Sequence, residues 1–216
     1  PRRSGRVGAE RAHVQQPRDA RRVAGGDDLA RKLDVRALER VCAVLVQDRR
    51  PGGYTLTINL PSLRVDAFTV GLAAQVSAGK RSGLTFAPEA GSWRLRQVIN
   101  KLITEQDLYG AVESAYSQGW ARMKLYFLTG LPTETDDDTL GIAELANHCV
   151  AIGKRYTKRA SVTVSLGGFV PKSNTPFQWF GQNTTAELRR KVQLVRSATQ
   201  RMGGVNFKWH DPAATL

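Results

Sequence analysis

The side chains in this chain most able to do chemistry are a few carboxylates, guanidinium groups and hydroxyls set just after short apolar runs. Glu89 is the most pointed case. It follows Pro88 at the end of Leu84-Thr85-Phe86-Ala87 and stands three residues before Ser92, where a helix begins. A carboxylate there either accepts hydrogen bonds from the hydroxyls or amine of a ligand, or caps the helix, a role Ser92 can also fill. Gly91-Ser92 lets backbone N–H groups approach a ligand closely, which is equally what a tight strand-to-helix turn requires. Arg64, in Pro61-Ser62-Leu63-Arg64-Val65-Asp66, is either a surface charge or a bidentate partner for a carboxylate. The run from Thr129 and Gly130 through Leu131 and Pro132 to Thr135 has neither the glycine density nor the Gly-Lys-Ser/Thr ending of a phosphate loop, which excludes a P-loop. A longer loop, Gly167 to Phe177, carries Lys172 and Asn174.

Other chemistries find no support in residue type or spacing. Cys42 and Cys149 are far apart, form neither a zinc nor a cluster motif, and read as two buried thiols. His210-Asp211 reads as structural rather than as an acid/base pair, and His13 and His148 have no evident partner. No Ser-His-Asp arrangement or metal-ligand spacing emerges.

The elements that must position these residues divide the chain into three stretches. Residues 1–26 are polar and Arg-rich without sustained periodicity, and are expected to form a disordered basic tail. Residues 27–52 contain a helix over Asp27–Arg50, with Leu29, Leu33, Leu38, Val41 and Leu45 as its apolar stripe. Residues 53–216 alternate between strand and helix. Strands are expected at Tyr54–Leu60, Gly83–Ala87, Ala121–Leu128, Ala160–Leu166 and Val205–Trp209. Helices are expected at Asp66–Val76, Ser92–Lys101, Asp107–Ser117, Asp136–Gly153 and from Thr184 to Met202, with Thr104/Asp107 and Thr184/Glu187 as capping boxes. Such alternation implies parallel strands with crossover helices, in a barrel, a partial barrel or an open doubly wound sheet. In each of these, function gathers at the C-terminal ends of the strands.

Composition sets wider bounds. The chain has 216 residues, 41% hydrophobic and 24% charged, as a globular domain does. It has no apolar run long enough to span a membrane and no apolar segment behind its first residues to serve as a signal peptide, so a cytoplasmic protein is expected. The net charge of +13 suggests a polyanionic partner. The surplus is diffuse, however, divided about evenly between the stretch up to Gly52 and the remainder of the chain, and nucleic-acid binding ranks second among the readings. An ordinary TIM-barrel-like enzyme is a third.

Taken together, the loops resemble a known family. Leu84-Thr-Phe-Ala-Pro-Glu-Ala-Gly-Ser-Trp-Arg-Leu-Arg-Gln-Val-Ile-Asn-Lys101 is similar to the fourth-strand signature of radical S-adenosylmethionine (radical-SAM) enzymes, a Glu-x-Gly-Ser turn followed by a helix ending in Asn-Lys. Lys124-Leu-Tyr-Phe-Leu-Thr-Gly-Leu-Pro-Thr-Glu-Thr135 resembles the fifth strand, Phe169 to Trp179 the sixth and Pro61 to Asp66 the third. The nearest likeness is to bacterial radical-SAM proteins that carry a cobalamin-binding-type domain before the barrel. The resemblance implies an α/β fold, the C-terminal part of a (β/α)6 partial barrel, with S-adenosylmethionine and a [4Fe–4S] cluster as cofactors and possibly cobalamin in a missing domain. Glu89 would contact the ribose or amino group of S-adenosylmethionine and Arg64 another polar part of it. Thr129 and Gly130 would lie near the adenine, and Gly91 and Ser92 in the adjoining turn. The loop with Lys172 and Asn174 would close the top toward an unknown substrate. The family's Cys-x3-Cys-x2-Cys run is missing, so the chain is expected to be a fragment, unrelated to the family at its Arg-rich start and inactive alone in radical generation.

Overall fold

The computed structural model describes residues 83–211. The expected tail, the helix Asp27–Arg50, the strand Tyr54–Leu60, the helix Asp66–Val76, Cys42 and Arg64 lie outside them. Within them the order is β1 (Leu84–Glu89), α1 (Trp93–Val98), α2 (Glu105–Ser117), β2 (Arg122–Thr129), α3 (Asp136–Lys154), β3 (Ser161–Gly168), α4 (Thr185–Thr199) and β4 (Val205–Trp209). Every strand and helix expected in this region is present.

The four strands form one parallel sheet in the order β1-β2-β3-β4. Strand side chains alternate in direction, and one set is buried: Leu84 and Phe86, Met123, Leu125 and Phe127, Val162, Val164 and Leu166. These residues share a single core with Leu108, Val112 and Tyr116 of α2, Ile142, Ala146 and Val150 of α3, and Val192 and Val195 of α4. Each large side chain buried there contributes about 1.5–3 kcal/mol relative to exposure. Consecutive parallel strands joined by crossovers of one hand carry their helices on one side, and the shared core is that side. The opposite face presents Thr85, Lys124, Tyr126, Thr163, Ser165, Asn206 and Lys208, an uncommon polar surface for parallel strands.

Helix ends follow local hydrogen bonding. Thr104 and Asp107 form the expected capping box for α2, and Thr135 and Asp138 form another for α3. At α4 only half of the expected box forms. The Thr184 hydroxyl accepts from the Glu187 N–H, but the Glu187 carboxylate turns to Arg190, which also binds Asp136 across the α3–α4 interface. α1 is shorter than its sequence pattern suggests. Asn100 takes a left-handed backbone (φ 55°), its N–H bonds the Gln97 carbonyl at 3.0 Å, and the Lys101 N–H reaches back to Arg96 at 2.8 Å. That is a Schellman ending, and it stops the helix after Val98.

Candidate site at the strand ends

The carboxyl ends of β1, β2 and β3 meet around a small apolar cluster of buried Ala90, Leu95 and Leu131, flanked by Val98, Ile99, Leu128 and Phe169. It gathers the three loops that sequence reasoning singled out in this region. A backbone bond from Phe169 N–H to the Thr129 carbonyl, 2.8 Å, ties the second loop to the third.

Glu89 closes β1 where the pairing with β2 is irregular, between Phe86 and Glu89. Its backbone is left-handed (φ 70°), a conformation a non-glycine residue adopts at a cost. Its carboxylate is partly exposed and meets the Lys101 ammonium at 3.3 Å. Capping of α1 falls to Ser92, whose hydroxyl accepts from the Leu95 N–H at 3.1 Å. Glu89 is therefore released from the capping role.

Gly91 and Ser92 serve the packing of this turn. A methyl group on Gly91 would collide with the Asp138 carbonyl and lie 2.9 Å from the Gly141 carbonyl carbon, so the turn sits backbone to backbone on α3. The Ser92 hydroxyl donates to the Asp138 carboxylate, which also binds the Arg94 guanidinium and the Thr135 N–H and hydroxyl. Burial alone would raise the Asp138 pKa, but the donors from Arg94, Ser92 and Thr135 outweigh it and hold the carboxyl below its ordinary range. Arg94 additionally clamps the Thr133 carbonyl at 2.8 Å.

The β2 loop is organised by a buried ion pair. Glu134 accepts from the Gly130 N–H (2.6 Å), the Thr129 hydroxyl (3.2 Å) and the Lys191 ammonium of α4 (2.7 Å). Both charged side chains are almost wholly enclosed. Gly130 has φ 82°, and a side chain there would strike Leu188. Thr129 is itself buried, so it and Gly130 offer shape at the mouth rather than free polar groups. Beneath α1, buried Arg96 donates to the Ile103 (2.7 Å) and Ala90 (3.1 Å) carbonyls and pairs with Glu105.

Lys172 and Asn174 occupy an exposed loop shaped by a Thr175 hydroxyl bond to the Lys172 carbonyl (2.6 Å). Asn174 is left-handed (φ 61°), and its N–H donates to the Gln178 side chain at 3.1 Å. Phe177 packs edge-on against both Phe169 and Phe180, while Trp179 is 88% exposed. His148 stacks on Tyr109, and Asp211 lies 3.8 Å from Arg189.

Sequence reasoning did not single out Lys191, Asp138 and Arg96 as partners in this site. Lys191 left a readable sign: it interrupts the buried stripe Leu188, Val192 and Val195 of α4, where a lone lysine needs an anion. Asp138 and Arg96 look in sequence like ordinary helix-surface charges.

The donor set of the described residues does not fit an iron–sulfur cluster. Among the described residues no group of three His, Cys, Asp or Glu side chains converges. Cys149 is buried in the core, where desolvation pushes its thiol up to about 12. Glu89, an acceptor beside Lys101, does fit a ligand that offers hydroxyls or an amine.

No described helix is long and apolar enough to cross a membrane. No family model matches the sequence. The chain is similar to the uncharacterized protein MJ0966 of Methanocaldococcus jannaschii, with 36% identity over 146 residues. That alignment covers 68% of this chain and 30% of the relative, so the chain spans less than a third of the length of the protein it matches.

Proposed function

We propose that residues 83–211 are an arc of a radical-SAM-type partial barrel and that the mouth around Glu89 binds S-adenosylmethionine. The observation that carries this reading is Glu89 itself. It is held in a left-handed conformation at an irregular strand end, is not needed for capping, and remains partly open to solvent beside Lys101. A backbone outlier in a strand-end loop is where ligand contacts are sought first. Support for the barrel comes from strands that follow one another without reversal and from helices that share one core, whereas a doubly wound sheet reverses its order and places helices on both faces.

In this reading Glu89 accepts from the ribose hydroxyls or the amino group, and Lys101 holds the carboxylate from one side at 3.3 Å. The Thr129–Gly130 turn, braced by Glu134 and Lys191, gives a smooth wall for the adenine. The thiolate ligands of a cluster would come from polypeptide outside this chain.

Equilibrium dialysis with radiolabelled S-adenosylmethionine tests the proposal. Saturable binding is expected, weakened about tenfold or more by Glu89→Gln, since a hydrogen bond to a charged group is worth about 1.5–3 kcal/mol. Glu113→Gln, a change on the exposed side of α2, is expected to leave it unaltered. Absence of saturable binding by the folded chain, or equal binding by Glu89→Gln, overturns the reading.

A further inference from the structure

The face of the sheet turned away from the described helices has a chemistry of its own, set by register. Thr85, Lys124, Thr163 and Asn206 are aligned across all four strands on one rung. Tyr126, Ser165 and Lys208 are aligned on the next. Parallel strands ordinarily carry apolar side chains on both faces, because both are covered. Here two adjacent rungs are hydroxyls, an amide and two ammonium groups, in the middle of the strands and below the mouth.

We propose that this face is a binding site for the oxyanion group, carboxylate or phosphate, of a small molecule. Lys124 and Lys208 supply the charge, and Tyr126, Thr163 and Ser165 supply hydroxyl donors. Three observations converge on it. Lys124 is drawn across the face: its ammonium donates to the Tyr126 hydroxyl at 2.6 Å and stands 4.2 Å from the centre of that ring. Ser165 is only 3% exposed although it lies on the polar side, so its hydroxyl sits at the floor between the two lysines' strands. Among the described residues no carboxylate forms an ion pair with Lys124 or Lys208. Arg122 adds a third positive charge at the start of β2, and Glu89, at the far end, is engaged by Lys101. Two ammonium groups on one face, without a carboxylate partner among the described residues, give that face a positive potential that attracts an anion.

The inference rests on the strand register and stands whether or not the mouth binds S-adenosylmethionine. Isothermal titration at constant ionic strength with inorganic phosphate, and separately with citrate, tests it and distinguishes phosphate from carboxylate preference. Saturable binding of at least one probe is expected, weakened about fivefold or more by Lys124→Met and by Lys208→Met. Lys158→Met removes the same charge from an exposed turn at the opposite end of the strands and is expected to change nothing. Circular dichroism of each variant checks its fold. Binding of neither probe, or an equal loss in all three variants, overturns the proposal. Unaltered S-adenosylmethionine binding by Lys124→Met separates this site from the mouth.

Discussion

Lys191 and Glu134 place opposite charges inside the protein from positions 57 residues apart. Enclosing two ions is expensive, and their attraction repays it only with good geometry and further hydrogen bonds. Glu134 has those bonds, from the Gly130 N–H and the Thr129 hydroxyl. The pair is therefore expected to matter most when broken from one side. Lys191→Met leaves a buried carboxylate without its cation, and a loss of about 3–5 kcal/mol in urea unfolding is expected. The double variant Glu134→Gln, Lys191→Met should recover most of it, because the amide still accepts from Gly130 and no charge remains. A double variant as unstable as the single one would show that Lys191 acts through packing alone. Sequence spacing reveals a lysine on a buried stripe but not its partner, since pairing across that distance depends on how α4 docks.

At the scale of elements, the alternation of apolar and polar residues located all four described strands, and Gly, Thr and Asp punctuation located the four helices to within a few residues. What pattern alone missed was how neighbouring ends interlock. The start of α3 is joined to the turn before α1 through Asp138, whose carboxylate caps its own helix and holds Ser92 and Arg94. Gly91 seats that turn directly on the α3 backbone, a contact no periodicity encodes. Because the folded-state pKa of Asp138 lies below its unfolded value, the carboxylate's stabilisation is fully present above that unfolded value, about 3.9. It is lost as pH falls further toward the folded value. The urea midpoint is expected to drop on acidification through that window. Asp138→Asn should be less stable near neutrality and show a shallower acid limb, measured by tryptophan fluorescence. An acid limb of unchanged steepness in Asp138→Asn would assign the effect to other carboxylates.

For the whole molecule, the decisive quantity is which groups share a face, and that becomes visible only once strand order and register are known. Periodicity marks Lys124, Ser165 and Lys208 as opposite in direction to the core, yet only the parallel register sets them on two adjoining rungs. Loops far apart in sequence likewise come together only through assembly, around Ala90, Leu95 and Leu131. A cluster is a different matter. It needs several thiolates at one point, and the sequence has two cysteines, with Cys149 enclosed in the core and its thiol pushed up by burial. Anaerobic reconstitution with iron and sulfide is therefore expected to leave this chain colourless, without a stoichiometric brown chromophore. On the proposed reading, the same iron-free protein should bind S-adenosylmethionine at the mouth, because Glu89, Lys101 and the Thr129–Gly130 wall take their places without a metal. A stoichiometric cluster on the chain would refute the assignment of its thiolates elsewhere, while metal-dependent binding at Glu89 would show that the mouth is not formed by these residues alone.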